Sequence, residues 1–340
     1  MVRRSLNNIA TRFFGLLGPE NAHDMAIWLL ANGLVPNYRE PVKAQTKNQI
    51  NLMGLSFRHP LGLAAGFDKD AKALAGLFRL GFSFIEAGTV TPLPQSGNIP
   101  PRLFRLRDDR ALINRMGFNS VGLEKFSRQL DSWREHQACE GDIVGVNIGA
   151  NKDTEDKVSD YVLCLERLAN SADYITVNIS SPNTPGLKGY QKGSNLNRLL
   201  EALTNSRLRK RPSLPILLKV SPDLDEETLT ALVQSSIDSG IKGLIISNTT
   251  INRPSSLTSR YKSESGGLSG RPLRGMANES LKIVNTIAPK DFVLIAVGGI
   301  ANSEDVRERF SGGASLVQVY TEFVYRGVNL IEDILADLDK

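Results

Sequence analysis

The chain has 340 residues, 41% hydrophobic and 23% charged, which is ordinary soluble-protein composition and enough length for one large domain or one domain with an appendage. A net charge of +5 admits an anionic ligand, an anionic membrane surface or nucleic acid, and selects none of them. The cysteines, Cys139 and Cys164, sit in no CxxC or Cys/His spacing, which argues against structural zinc or an in-chain iron–sulfur cluster and for reduced thiols in a cytosolic compartment.

At the N-terminus, Val2, Leu6, Ile9, Phe13, Leu16 and Leu17 recur at helical spacing, with Arg3, Arg4, Asn7, Asn8, Thr11 and Arg12 opposite. Gly18-Pro19 breaks this helix, and a second runs from Glu20 to Asn32 before Gly33. Arg3 and Arg4 look like the start of a signal peptide, but Asn7, Asn8, Thr11 and Arg12 interrupt any apolar core, so secretion is not expected. The longest apolar run nearby, Met25 to Ala31, is far short of the ~20 residues of a spanning helix. Two readings stand for this pair. It docks on the domain that follows, or it lies on a membrane surface with its cationic face toward the lipid headgroups. The absence of any acid before Glu20 favours the second. His23 falls in the second helix; His59 and His136 have no motif around them.

From residue 60 the pattern becomes strand and helix in alternation. Apolar runs predict strands at 61–67, 82–89, 143–148, 174–179, 216–220, 244–247, 293–297 and 316–320. Leu196, Leu199, Leu200 and Leu203 mark one helix face between them; Val158, Tyr161, Val162 and Leu165 mark another, and Ile331, Ile334, Leu335 and Leu338 a third. Eight such units predict an α/β protein of the (β/α)₈ barrel type, with the helix pair as an N-terminal extension (1–40) to a barrel (41–340). A doubly wound open sheet is the alternative, but no GxGxxG follows the first strand to support a nucleotide site of that kind.

In a barrel, function sits where the strands end. Here those ends carry Asn, Ser, Thr and Gly, with lysine at only two, Lys69 and Lys219. Such a ring suits a polar anionic ligand; a divalent metal would need converging carboxylates or imidazoles. Gly298-Gly299 and Gly266-Gly267-Leu268-Ser269-Gly270 suit a phosphate held by backbone N–H groups. Two long excursions, 91–141 and 251–275, are rich in Pro and Arg or in Ser, Gly and Arg, and loops of that length are functional or disordered. The basic run 207–211 reads as a solvated helix C-terminus rather than a nucleic-acid patch.

The richest strand end is Asn178-Ile179-Ser180-Ser181-Pro182-Asn183-Thr184-Pro185-Gly186. Together with Ala65-Gly66-Phe67-Asp68-Lys69, Asn114-Arg115-Met116-Gly117-Phe118, Gly266 to Leu273 and Val297-Gly298-Gly299-Ile300, it resembles the dihydroorotate dehydrogenases, in order and over nearly the whole chain. The helix pair, and a serine where soluble members carry cysteine, resemble the class 2, quinone-linked, membrane-associated form. The resemblance implies an FMN-binding barrel that oxidises dihydroorotate to orotate in pyrimidine synthesis. It implies Ser181 as base for the C5 proton, relayed through Thr184 and water, with hydride passing from C6 to flavin N5. It also implies substrate contacts at Lys69, the 114–118 segment (Asn114, Arg115, Met116, Gly117, Phe118), Asn178, Asn183, Asn248 and Thr249. Flavin contacts are implied at Ala65, Gly66, Phe67, Asp68, Lys69, Thr89, Asn147, Asn178, Lys219, Ser247, Gly270, Gly299, Tyr320 and Thr321. His23, Arg105 and Tyr320 resemble residues near the quinone head. No metal or nucleic acid is implied; the expected setting is a monomer peripheral to the cytoplasmic side of the cell membrane. Rival readings are a flavin barrel reducing uridine in RNA, a Schiff-base aldolase using Lys219, and a non-enzymatic membrane-surface module.

Overall fold

The computed structural model describes residues 2–39, 49–183 and 186–338. The expected boundary between extension and barrel, at 40/41, and the expected proton relay Thr184 lie outside the described residues.

Helices α1 (Val2–Leu16) and α2 (Pro19–Ala31) open the chain, with Pro19 in the first turn of α2, where its missing N–H costs no helix hydrogen bond. A hairpin of β1 (Ile50–Leu52) and β2 (Leu55–Phe57) follows. Then come β3 (Leu61–Leu63), α3 (Leu74–Arg79), β4 (Phe84–Val90), β5 (Leu103–Leu106), β6 (Ala111–Asn114), α4 (Leu123–His136), β7 (Ile143–Ile148), α5 (Lys157–Leu168) and β8 (Tyr174–Asn178). The second half holds α6 (Gly193–Lys210), β9 (Ile216–Val220), α7 (Glu226–Asp238), β10 (Gly243–Ile246), β11 (Gly267–Gly270), α8 (Arg274–Ile287), β12 (Val293–Val297), α9 (Ser303–Ser311), β13 (Leu316–Val319), α10 (Thr321–Arg326) and α11 (Val328–Leu338).

Strands β3, β4, β7, β8, β9, β10, β12 and β13 form a closed parallel barrel in chain order, sealed where Val317 pairs with Leu61. Every residue of these strands is buried, because side chains point alternately into the barrel and under the helices. That is the expected fold. Strand one is shorter than expected. It leaves the ladder after Leu63, and Gly66 turns at φ 95° so that its N–H reaches Gly88 O at 2.7 Å. The β1–β2 hairpin packs Phe57 against Phe84, ring centroids 5.3 Å apart, over a cluster that includes Tyr174, Leu217 and Ile245.

The excursions are folded. Residues 91–141 contain β5, β6 and the crossover helix α4; residues 251–275 contain β11, and the three strands make an antiparallel sheet in the order β11-β6-β5. The run 207–211 does end a helix, but it is not simply solvated. Arg207 is buried and donates to Gly240 O at 3.0 Å, and Arg211 Nη1 donates to Ala169 O and Ala172 O. These guanidiniums close the ends of neighbouring elements.

The helix pair both docks and exposes apolar surface. Asn7 donates to Arg326 O and accepts from Val328 N, while Arg4 lies 2.5 Å from Asp333. Helix α2 comes so close to α3 that a Cβ on Gly76 would stand 2.4 Å from Leu30 O, which is why glycine is required there. Yet Ile9, Phe13, Leu16, Trp28 and Leu34 remain exposed. Among the described residues no helix is long and apolar enough to cross a membrane.

Candidate active site

The barrel's C-terminal end opens into a cavity of about 580 Å³. Its floor is polar. Glu86 of β4, fully buried, accepts from Asn147 Nδ2 at 2.7 Å and Gln318 Nε2 at 2.9 Å, with Lys219 Nζ at 3.8 Å. A carboxylate survives such burial only when its lone pairs are occupied. Burial lowers the Lys219 pKa, and Glu86 opposes that shift.

Above the floor the strand ends share one hydrogen-bonded ring. Asn147 Oδ1 accepts from Thr89 Oγ1 at 2.6 Å and from Asn178 Nδ2 at 3.2 Å. Asn178 Oδ1 accepts from Asn248 Nδ2 at 3.3 Å, and the same amide reaches Ser180 Oγ at 3.0 Å. The buried Tyr161 hydroxyl fixes the Asn178 carbonyl at 2.8 Å. Asn183 bridges the rim, donating its N–H to Ser181 Oγ at 3.3 Å and its side-chain amide to Asn114 O at 3.2 Å. Ser181 itself is buried.

Lys69 also lines the cavity, its Nζ 2.8 Å from Gly66 O. Burial pushes its pKa down to about 8, Arg102 acts in the same direction, and Asp70, Glu20 and Asp24 oppose. Asp68 is buried beneath this loop, accepting from the Lys72 and Ala73 N–H groups, and burial raises its pKa to about 6. Gly270, Gly298 and Gly299, all at positive φ, also line the cavity.

A second, more apolar cavity of about 830 Å³ lies under α1 and α2. His23, Phe67, Leu103, Leu112 and Tyr320 line both cavities. The Phe67 ring stands edge-on to His23 at 5.3 Å and to Tyr320 at 5.9 Å. Burial, with Lys69 nearby, lowers the His23 pKa to about 3, so the imidazole is neutral at physiological pH. Burial raises Tyr320 to about 12. Arg105 lines the apolar cavity and donates to Leu17 O at 2.8 Å, capping the chain after α1.

The family model described as "Dihydroorotate dehydrogenase" matches residues 48–340. A protein of Azorhizobium caulinodans named "Dihydroorotate dehydrogenase (quinone)" is 44% identical over 330 residues, covering 96% of this chain and 92% of that protein. One of the same name from Bradyrhizobium diazoefficiens is 45% identical, covering 95% of this chain and 87% of its own length. The crystal structure of DHODH from Eimeria tenella in complex with ferulenol superposes with a TM-score of 0.88 at 38% identity, covering 94% of this chain and 90% of that one. The chain belongs to the dihydroorotate dehydrogenase family. It is an oxidoreductase of that family, and its eight-stranded barrel is the fold of those solved relatives.

Of the residues expected at a dihydroorotate dehydrogenase site, most face the 580 Å³ cavity. Ala65, Gly66, Phe67, Asp68, Lys69, Thr89, Asn114, Met116, Gly117, Phe118, Asn178, Ser181, Asn183 and Lys219 line it, as do Ser247, Asn248, Thr249, Gly270, Gly299, Tyr320 and Thr321. Arg105 lines only the apolar cavity, and two of the expected substrate and flavin residues stand elsewhere. Arg115 turns away to Glu264 at 2.6 Å and lies over the Phe104 ring, and Asn147 sits behind Thr89 within the ring of amides. Helix α2 supplies unexpected lining, Glu20 and Asp24. Glu20 accepts from the Arg102 backbone N–H at 3.2 Å and from its Nε at 2.9 Å. Glu86, Gln318 and Ser180 were also unexpected. Glu86 had one visible signal, a lone carboxylate inside an apolar strand; Glu20, His23, Asp24, Ile27 and Ala31 share a helical face that crosses polar to apolar.

Proposed function

We propose that this protein oxidises dihydroorotate to orotate in pyrimidine synthesis, using bound FMN and a membrane quinone as electron acceptor. The observation that carries this reading is the pairing of two cavities. One is lined by Lys69, Ser181 and a ring of amides, the other is apolar, and His23, Phe67 and Tyr320 line both.

The residues present fit FMN. Gly270, Gly298 and Gly299 leave bare backbone in the cavity wall, as a phosphate requires. Thr89, Asn178, Ser247, Tyr320 and Thr321 offer neutral hydrogen-bonding groups along its length, and Lys219 offers a cation. When bound, FMN supplies a two-electron acceptor for the hydride at C6 of dihydroorotate and, once reduced, a donor to quinone. Lys219 would face the negative charge that reduction creates, and Glu86, 3.8 Å from it, opposes the lowering of its pKa by burial.

Ser181 would take the C5 proton. A serine hydroxyl is a weak base, so it must hand the proton on; Thr184 with water is the proposed relay. Lys69 would pair with the substrate carboxylate. Asn114, Asn178, Asn183, Asn248 and Thr249 match the donors and acceptors of the pyrimidine ring, and Met116, Gly117 and Phe118 close over it. His23, Arg105 and Tyr320 would face the quinone head.

The exposed Ile9, Phe13, Leu16 and Trp28, beside a helix with no acid in its first turn, support seating of residues 1–40 on an anionic membrane surface. The enzyme would act there as a monomer on the cytoplasmic side. Anaerobic mixing with dihydroorotate should bleach the bound flavin, and a long-chain quinone should restore its colour where fumarate does not. A colourless preparation that binds no flavin would end this reading.

A further inference from the structure

Behind the Gly298-Gly299 turn lies a charge that the reading above does not use. Arg309, in the last turn of α9, is fully buried, among the largest side chains of the protein with no exposure. Its Nη2 donates to Gly298 O at 2.6 Å and to Arg274 O at 3.4 Å. Its Nε and Nη1 find no partner among the described residues. An arginine so dehydrated is costly to keep unless its charge acts on something. Burial lowers its pKa to about 10, against Glu308 and Asp305, so it stays cationic at neutral pH.

The geometry of the peptide unit says what it acts on. Across a trans peptide the carbonyl and the following N–H point in opposite directions. The Gly298 carbonyl points back at Arg309, so the Gly299 N–H points away from it, and both glycines line the cavity. Among the described residues nothing accepts that N–H. Gly298 (φ 110°) and Gly299 (φ 73°) are both in the left-handed region, where glycine rotates at little cost. Left alone, this peptide could turn its carbonyl into the cavity, toward an anion it would repel. Asp305 braces the same turn, accepting from Ala301 N at 2.7 Å, and the Arg274 backbone packs so tightly on Gly299 that a Cβ would stand 2.6 Å away.

We propose that Arg309 is a positioning residue for the phosphate of the flavin: it holds the Gly298 carbonyl from behind, aims the Gly299 N–H into the cavity as an anion donor, and backs it with a buried positive charge. This rests on the flavin reading. It adds a phosphate-orienting group that the ligand never touches.

The test separates phosphate from ring by titrating apo-protein with FMN and with riboflavin, which share the isoalloxazine and differ in the phosphate. Arg309→Met should weaken FMN at least about tenfold, the scale of one charge-assisted hydrogen bond, while riboflavin changes by less than about twofold. Arg309→Lys, which keeps the charge and a donor, should recover part of the FMN preference, and it serves alone if the methionine variant does not fold. An FMN-to-riboflavin ratio unchanged in both variants overturns the inference. So does equal loss of both flavins, which would mark Arg309 as fold support only. Wild-type protein that binds neither flavin overturns the flavin reading first, and this inference with it.

Discussion

Raising the pH should loosen this protein's grip on a carboxylate substrate, and Lys69 sets where. Its pKa is about 8 because burial strips its hydration, and Arg102 adds to the effect against Asp70, Glu20 and Asp24. Below that pH the ammonium is present and meets an arriving carboxylate at no protonation cost. Above it, binding must restore a proton, so the dissociation constant of dihydroorotate should rise by up to about tenfold per pH unit. The ceiling is the worth of the pair itself, about 1.5–3 kcal/mol for a hydrogen bond between charged groups, or roughly 10–100-fold. The unliganded fold should respond with the opposite sign. A lysine whose folded pKa is depressed destabilises the folded state while it is charged in both states, and that cost disappears as pH rises from about 8 toward the ordinary lysine value of 10.5. Anaerobic single-turnover reduction of the flavin, followed against dihydroorotate concentration between about pH 6.5 and 9.5, gives the constant at each pH. Lys69→Met should bind roughly 10–100-fold more weakly at neutral pH and lose the slope. A wild-type constant that stays flat across this range, or a methionine variant that follows the same slope, would refute the assignment.

Ser181→Ala should keep its flavin but slow flavin reduction by about 10²–10⁴-fold; unchanged single-turnover reduction would remove Ser181 as base. Deleting residues 1–33 should spare reduction by dihydroorotate and abolish reoxidation by a long-chain quinone, and stopped-flow on the two half-reactions separates these outcomes. Glu20→Gln should weaken the seat of α2 against Arg102 by about 1 kcal/mol, seen as a lower melting temperature; an unchanged melt would mean the pair is incidental. Glu86→Leu should cost about 3–5 kcal/mol in urea unfolding, since it strands Lys219, Asn147 and Gln318 in the barrel floor. A loss of a few tenths would mean the floor repacks.

The barrel was legible because its strands are buried on both faces and so read as short apolar runs such as Ile143–Ile148. The rim was legible because its loops concentrate Asn, Ser and Gly. The β5-β6-β11 sheet was not, since β11 follows the β5-β6 pair by about 150 positions and β5 alternates Arg105 with Phe104 and Leu106 in what reads as a basic loop. Strand one was misjudged in length because Ala64 and Ala65 continue the apolar run after the ladder ends. The two readings of the helix pair were not exclusive, since docking uses Ala22, Leu30 and the polar Asn7, while Phe13, Leu16 and Trp28 stay outside. Arg309 was the least visible. In Ser303–Ser311 it is one of several charged residues on a short polar helix, and only the fold shows which of them is sealed inside.

The amide ring has a consequence for how this pocket could be altered. Thr89, Asn147, Asn178 and Asn248 satisfy one another as well as facing, or backing, the cavity. Replacing one to accept a different heterocycle leaves its neighbour's donor or acceptor unanswered in a buried place. Redesign toward a new ring would therefore have to proceed in sets of positions that change together, and single-site libraries at this rim should return mostly damaged proteins rather than new preferences.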